Sequence, residues 1–230
     1  MSGQQQRSPY DLPDIDGLSV GVLGGTGDQG RGLARRLAIA GHRVLIGSRS
    51  AERAATAAES LDAGLPVEGH DNATVARTAD VVIVAVPYEG HRDLLASLAG
   101  DLAGKIVVDC VNPLGFDKKG PYVLPVEEGS AAQQAESVLP DSRVVAAFHH
   151  VSAVLLLDPE VDQMELDVMV LGDDRDANDV VRALAGRIPG MRGVYAGRLR
   201  IAGQVEALTA NLIAVNRRYK AHAGLRVTDV

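Results

Sequence analysis

Gly25-Thr26-Gly27-Asp28-Gln29-Gly30 spaces three glycines as GxGxxG, with a fourth, Gly24, just ahead of them. Glycine lacks the Cβ that would keep a backbone away from a bulky anion, so such a turn lets main-chain N–H groups close on a pyrophosphate. The hexapeptide alone is a weak signal, but here it follows the apolar run Val20-Gly21-Val22-Leu23 and leads into Leu33, Ala34, Leu37 and Ala38 at helical spacing. A strand, a glycine turn and a helix in that order form the setting in which the motif binds a dinucleotide.

The next apolar run ends Ile46-Gly47-Ser48-Arg49-Ser50, with Arg53 one helical turn later. A carboxylate at that place would hold the ribose 2′-hydroxyl of NAD, whereas a hydroxyl and two guanidinium groups suit a 2′-phosphate. NADP(H) is therefore expected over NAD(H), with Thr26 able to add a hydroxyl contact. Three further strand ends, Val86-Pro87-Tyr88-Glu89, Cys110-Val111-Asn112-Pro113 and Phe148-His149-His150, should surround the nicotinamide, because ligands of open α/β sheets lie outside the carboxyl ends of the strands. No nucleophile triad or close carboxylate pair is recognisable among them, which leaves hydrolysis unsupported. Hydride transfer needs only two planar rings held face to face in a dry cleft. His149 is the candidate catalytic residue, as a hydrogen-bond partner of the second ring; a histidine satisfied within the core is the alternative. His150 should point the other way along an extended chain, and Cys110 reads as small core packing.

These groups must be positioned by a regular frame. Short β-branched runs at Leu18–Leu23, Arg43–Gly47, Val81–Val86, Lys105–Asp109 and Val144–His149 alternate with helical stretches, one over Gly30–Ala40 closed by Gly41 and one from Ser50 to Asp62. That alternation predicts a doubly wound α/β parallel sheet of the Rossmann type. Val111–Glu128, rich in Pro and Gly, reads as a long loop on the substrate side. A smaller C-terminal α/β unit follows, with Asp167–Leu171 and Gly193–Ala196 extended, Asp176–Arg187 helical, and a long last helix ending at Gly224. Its stripe of Val205, Leu208, Leu212, Val215, Tyr219 and His222 should pack within the chain, or else against a second subunit. The resulting organisation is a flexible extension over 1–17, an NADP-binding domain over 18–155 and a small domain over 156–230.

Composition removes several classes of function. The 230 residues carry 30 acidic and 23 basic groups, the wrong balance for a chain whose whole surface must attract nucleic acid. A lone cysteine forms no internal disulfide, no apolar run reaches the length of a membrane span, and the six histidines lack the spacing of a zinc site. The cytoplasm is the expected compartment.

The chain resembles the NADPH:F420 oxidoreductases, which move a hydride between NADP(H) and the deazaflavin coenzyme F420. Leu23-Gly24-Gly25-Thr26-Gly27, Gly47-Ser48-Arg49, Val86-Pro87-Tyr88-Glu89, Val144-Val145-Ala146-Ala147-Phe148-His149, Gly172-Asp173-Asp174 and Glu206-Ala207-Leu208-Thr209 carry the likeness, which runs from about Leu18 to Leu225. It implies that Thr26, Ser48, Arg49 and Arg53 hold the 2′-phosphate and that Gly25 to Gly30, with Asp28 and Gln29, hold the pyrophosphate. It places Val86, Pro87, Asn112, His149 and the segment Ala223-Gly224-Leu225 near the facing nicotinamide and deazaflavin rings. It also implies a homodimer or larger homo-oligomer, with small redox coenzymes as its partners. The acidic phospholactyl-glutamyl tail of F420 would need basic surface, for which Lys118 and Lys119 are candidates. The ~17-residue lead before the first strand and the Val151–Gln163 segment depart from the family pattern. Two other readings remain open at this point: an NADPH-dependent reductase of a flavin or a small imine or carbonyl, and a non-catalytic NADP sensor.

Overall fold

A computed structural model describes residues 8–230. Its first half is an uninterrupted βα alternation: β1 (Val20–Leu23), α1 (Asp28–Ile39), β2 (Val44–Ser48), α2 (Ala51–Glu59), β3 (Val67–Asp71), α3 (Asn72–Thr78), β4 (Val81–Val84), α4 (His91–Leu102) and β5 (Ile106–Asp109). A hairpin of β6 (Leu114–Asp117) and β7 (Gly120–Val123) interrupts it. Then come α5 (Ala131–Val138), β8 (Arg143–Ala146), α6 (Ala153–Leu157), β9 (Leu166–Gly172), α7 (Arg175–Gly186), β10 (Met191–Gly197) and α8 (Ala202–Tyr219). Eight strands form one sheet in the order β10-β9-β8-β5-β4-β1-β2-β3, with every pairing parallel except β8 with β9.

Both faces of this sheet are covered, which is why its central strands are apolar without alternation. One face carries Val20, Val22, Ile46, Ile83 and Val108 against Leu33 and Leu37 of α1, Leu156 of α6 and Val181 of α7. The other carries Leu45, Val82, Val84 and Val107 against Val75 of α3, Leu95 and Leu102 of α4, Ala135 of α5 and Val205 of α8. Alternate residues of one strand thus belong to two separate cores, as the period of two requires.

The five expected strands of the first 150 residues form, with ends shifted by up to three residues, and β9 and β10, joined by α7, continue the same sheet beyond them. Four expectations need correction. β3 and α3 went unrecognised because Val67-Glu68-Gly69-His70-Asp71 is a half-buried edge strand with no apolar rhythm. Val111–Glu128 is no plain loop, since it folds into the β6–β7 hairpin around Asp117, whose side chain accepts the N–H groups of Lys119 and Gly120. The last helix stops at Tyr219, where Lys220 takes a left-handed φ of 52°, five residues before Gly224 exits. Its stripe is buried only at Val205; Val215 and Tyr219 face solvent, so intrachain packing does not account for it.

The fourth correction concerns the leading segment, whose residues 1–7 lie outside the described ones. From Pro9 onward it is held down: Ile15 is buried, Arg182 donates to the Pro9 carbonyl, and Arg187 pairs with Asp16. An apolar anchor and two guanidinium groups outweigh the freedom of a polar tail. The divergent Val151–Gln163 segment is fastened in a similar way. The buried Arg36 guanidinium donates to the carbonyls of Leu155, Leu156, Asp158 and Val161 at 2.6 to 3.0 Å, clamping α6 onto α1.

Candidate functional site

The carboxyl ends of β1, β2 and β4 open into one cleft of about 460 Å³. Its walls include Thr26 and Gly27 from the glycine turn, Ser48, Arg49 and Arg53 after β2, and Val86 and Pro87 after β4. The turn is shaped by close backbone approach. Gly24 has φ +75° and a Cβ there would lie 2.6 Å from the Ala85 carbonyl oxygen, while one on Gly30 would lie 2.7 Å from Gly25 Cα. Gly27 caps α1 without any side-chain hydrogen bond, so the first N–H groups of that helix face the cleft unclaimed, as an anion requires.

Gly30 gives a direct check on this cradle. Its would-be Cβ meets Gly25 and Gly24 main-chain atoms, which cannot rotate away as a side-chain tip can. Gly30→Ala must therefore open the turn, and its expected result is a loss of nucleotide affinity of about tenfold or more, read by NADPH titration with circular dichroism to confirm the fold.

Beside the turn, Arg49 and Arg53 are exposed and form no ion pair among the described residues. Ser50, not Arg53, caps α2, through its hydroxyl and the Arg53 N–H. Sequence reasoning missed Asn72, the first residue of α3. It is buried on the cleft wall with Oδ1 lacking a partner, 2.8 Å from where a Gly47 Cβ would stand. The polar β3 concealed it. Two unpaired cations, a serine hydroxyl and free helix N–H groups form a donor-rich surface suited to a phosphorylated ribose, with the Asn72 amide oxygen beside them as an acceptor.

The other expected residues fall into a second group. Asp28 is exposed and pairs with Arg31 at 3.0 Å, whereas Gln29 Nε2 reaches the Phe148 carbonyl at 3.3 Å. Phe148 has φ 62°, unusual for a residue with a side chain, and this bend presents the next carbonyl, that of His149, to Asn112 Nδ2 at 2.9 Å and to Thr209 Oγ1 at 3.2 Å. Asn112, His149 and α8 are thus tied together through a backbone oxygen. The His149 ring is almost wholly buried, and neither nitrogen has a hydrogen-bond partner. Burial pushes its pKa down to about 4 against the opposing pull of the Asp109 charge, so the ring is neutral at pH 7. β8 ends at Ala146, so the extended chain expected through His150 is not formed; His150 lies in the turn after it, its Nε2 facing the Met169 N–H in β9. Cys110 is buried, with Sγ 3.0 Å from the Val84 carbonyl. Ala223-Gly224-Leu225 is not on the wall of the cleft: Gly224 lies over Leu166, and Leu225 accepts from the Asp167 N–H at 2.8 Å.

Beneath the Val111–Asn112 turn lies a buried polar cluster with no sequence signal of its own. His91 Nε2 and Asp109 Oδ2 are 2.6 Å apart, Nδ1 faces Gln134 Oε1 at 3.0 Å, and Asp109 Oδ1 accepts from the Val111 N–H. Burial works against a charged His91, yet the neighbouring Asp109 outweighs it and holds the ring above its ordinary pKa. Glu206 of α8 accepts from the Ala131 and Ala132 N–H groups at the start of α5, and burial lifts its carboxyl to about 7. The cluster locks β5, α4, α5 and α8 in place around Asn112.

Fold and cleft define a Rossmann-type α/β protein whose strand ends offer a seat for a phosphorylated dinucleotide. Residues 19–113 match the family described as NADP oxidoreductase coenzyme F420-dependent. The chain is 39% identical to the F420-dependent NADP reductase of Methanothermobacter marburgensis over 93% of its own length and 99% of that protein, and 37% identical to the reductase of that name from Methanocaldococcus jannaschii over the same shares. A crystal structure of a candidate F420-dependent NADP-reductase from Arthrobacter sp. FB24 superposes with a TM-score of 0.75 at 29% identity, covering 92% of this chain and all of that one. The chain belongs to the F420-dependent NADP reductase family.

Proposed function

We propose that the protein catalyses reversible direct hydride transfer between NADP(H) and the deazaflavin coenzyme F420. The observation that carries this reading is the cleft itself, where the glycine turn, Ser48, Arg49, Arg53 and the orphaned Asn72 oxygen converge in a chain that matches reductases of this name over 93% of its length. When bound, the two coenzymes supply the hydride donor and acceptor, so the chain's own work is to bind, align and dry them.

In that division, the α1 N-terminus and the glycine turn hold the pyrophosphate, and Ser48, Arg49, Arg53 and Thr26 hold the 2′-phosphate. Val86 and Pro87 form the apolar wall beside the nicotinamide. Asn112 and Thr209, fixed on the His149 carbonyl, stand at the border toward the acceptor. The neutral, buried His149 ring supports that border and is not a proton donor at pH 7. Ala223 to Leu225 would complete the acceptor side. The division also takes 18–155 as the NADP-binding part and 156–230 as the smaller part closing the acceptor side.

The test is anaerobic mixing of protein, NADPH and oxidised F420 while following deazaflavin absorbance, with NADH alongside. Fast bleaching with NADPH and little with NADH is the expected result; NADPH binding without bleaching would reject F420 as the acceptor. Assembly into a homodimer or larger oligomer belongs to the same proposal, supported by the exposed Phe116, Tyr122 and Val123 of the hairpin and Tyr219 of α8. A cytoplasmic setting fits the single, buried Cys110, and no helix among the described residues is long and apolar enough to cross a membrane.

A further inference from the structure

Gln134 reveals the charge of the buried cluster behind Asn112. Its Nε2 donates to Glu128 Oε2 at 3.3 Å, so its Oε1 is the atom that faces His91 Nδ1. Asp109 Oδ2 accepts on the other side of the same ring. Both ring nitrogens therefore meet acceptors, which requires both to carry hydrogen: His91 is an imidazolium with Asp109 as its counterion, and both side chains are fully enclosed. A buried ion pair is a poor way to stabilise a fold, because apolar residues of the same volume do as well without the cost of desolvation. Its placement gives it another use.

From this pair, contacts run in two directions and meet again at the acceptor border. In one direction Asp109 Oδ1 accepts the Val111 N–H at 3.1 Å, shaping the turn that delivers Asn112, whose Nδ2 reaches the His149 carbonyl. In the other, Gln134 lies one turn into α5, and the opening N–H groups of that helix, at Ala131 and Ala132, donate to Glu206 of α8 at 2.9 and 3.1 Å. Glu206 shares a helix face with Thr209, three residues on. Thr209 Oγ1 lies 3.3 Å from Asn112 Oδ1 and 3.2 Å from the His149 carbonyl, which closes the circuit. None of these side chains lies on the wall of the nucleotide cleft.

We propose that this closed circuit sets the acceptor geometry, with Asp109 placing Asn112 and Glu206 placing Thr209 as positioning residues. The proposal rests on the deazaflavin reading above and adds to it the groups that hold the acceptor border in register.

The experiment follows F420 reduction at saturating NADPH, with the Kd for NADPH measured separately. Asp109→Ala is expected to lower kcat about tenfold or more while moving the Kd for NADPH less than about twofold, because a misplaced acceptor border leaves the nucleotide cleft alone. Asp109→Asn keeps an oxygen for the Val111 N–H and should return kcat to within about threefold of the wild type. A cycle with Asn112→Ala decides the route. If Asp109 acts through Asn112, the double variant is no slower than the slower single one, whereas losses that multiply would overturn the proposal. Equal loss of kcat and of NADPH affinity would overturn it too, by making the circuit a general support of the fold. Should Asp109→Ala strand the imidazolium and unfold the chain, Glu206→Gln reads the same coupling from α8, in a cycle with Thr209→Val. A lower kcat that Thr209→Val does not deepen is expected there, and multiplying losses would again overturn the proposal. A wild type that binds NADPH and leaves F420 oxidised would reject the deazaflavin reading, and the circuit's role at its acceptor border with it.

Discussion

Replacing Arg49 and Arg53 together by Ala is expected to raise the Kd for NADPH about a hundredfold while moving that for NADH by no more than about threefold. Both guanidinium groups sit on the wall of the cleft beside Ser48, are exposed, and lack a carboxylate partner. Removing them therefore leaves no buried charge stranded, and the fold has little reason to respond. Each charge-assisted hydrogen bond to a phosphate oxygen contributes roughly 1.5–3 kcal/mol, discounted here because solvent reaches the site. Two of them at the lower end reach the hundredfold change. NADH lacks the 2′-phosphate and is blind to the loss. Isothermal titration with both nucleotides reads the result, and equal weakening for the two would assign the arginines a structural role.

A second large effect concerns acid. His149 and His150 are both buried, and burial pushes each down to about 4. In the unfolded chain they would titrate near ~6.5. Between those values the unfolded chain binds the extra protons, so stability present at neutral pH is lost as pH falls from about 6.5 toward 4. The contribution is on the order of 3 kcal/mol for each ring. Glu206 works in the opposite sense, because its carboxyl is raised to about 7 and the folded chain takes up its proton first. His91, held above its ordinary value by Asp109, works in the same sense as Glu206, and together they offset only part of the two imidazoles. Urea midpoints measured at pH 7, 5.5 and 4.5 should therefore fall steeply, and His149→Leu should flatten the curve by about one proton. Because neither nitrogen of that ring has a partner, the variant should match or exceed the wild type in stability at pH 7. A slope unchanged by the substitution would mean that His149 takes up its proton equally well in both states.

Local signals were legible where one short segment carries the whole reason for a residue. The glycine turn, the Ser48-Arg49 strand end and Arg53 depend on neighbours within a few positions, and they meet in the cleft as their spacing suggested. Asn72 was hidden because its strand lies at an edge and carries no apolar period. The His91, Asp109, Gln134 and Glu206 cluster was hidden for another reason. Its members come from four elements and lie 18 to 115 positions from one another, a closeness that only the folded sheet creates. Ala223 to Leu225 illustrates the converse, since a helix expected to reach Gly224 ends at Tyr219 and the remaining chain turns back onto β9.

The sheet order described above also leaves two outer edges, β3 and β10, each a row of main-chain groups on which another chain could grow. Neither is an inviting template. β3 is five residues long, with Glu68 engaged by Arg43 and His70 beside it, so a strand docking there would have to displace an ion pair. Along β10, Pro9, Tyr10 and Leu12 line one cavity with Gly193, Val194 and Tyr195, and prolines at 9 and 13 bring no N–H to continue a ladder. The segment ahead of β1 thus stands beside that edge as a bumper against a ninth strand from a neighbouring molecule.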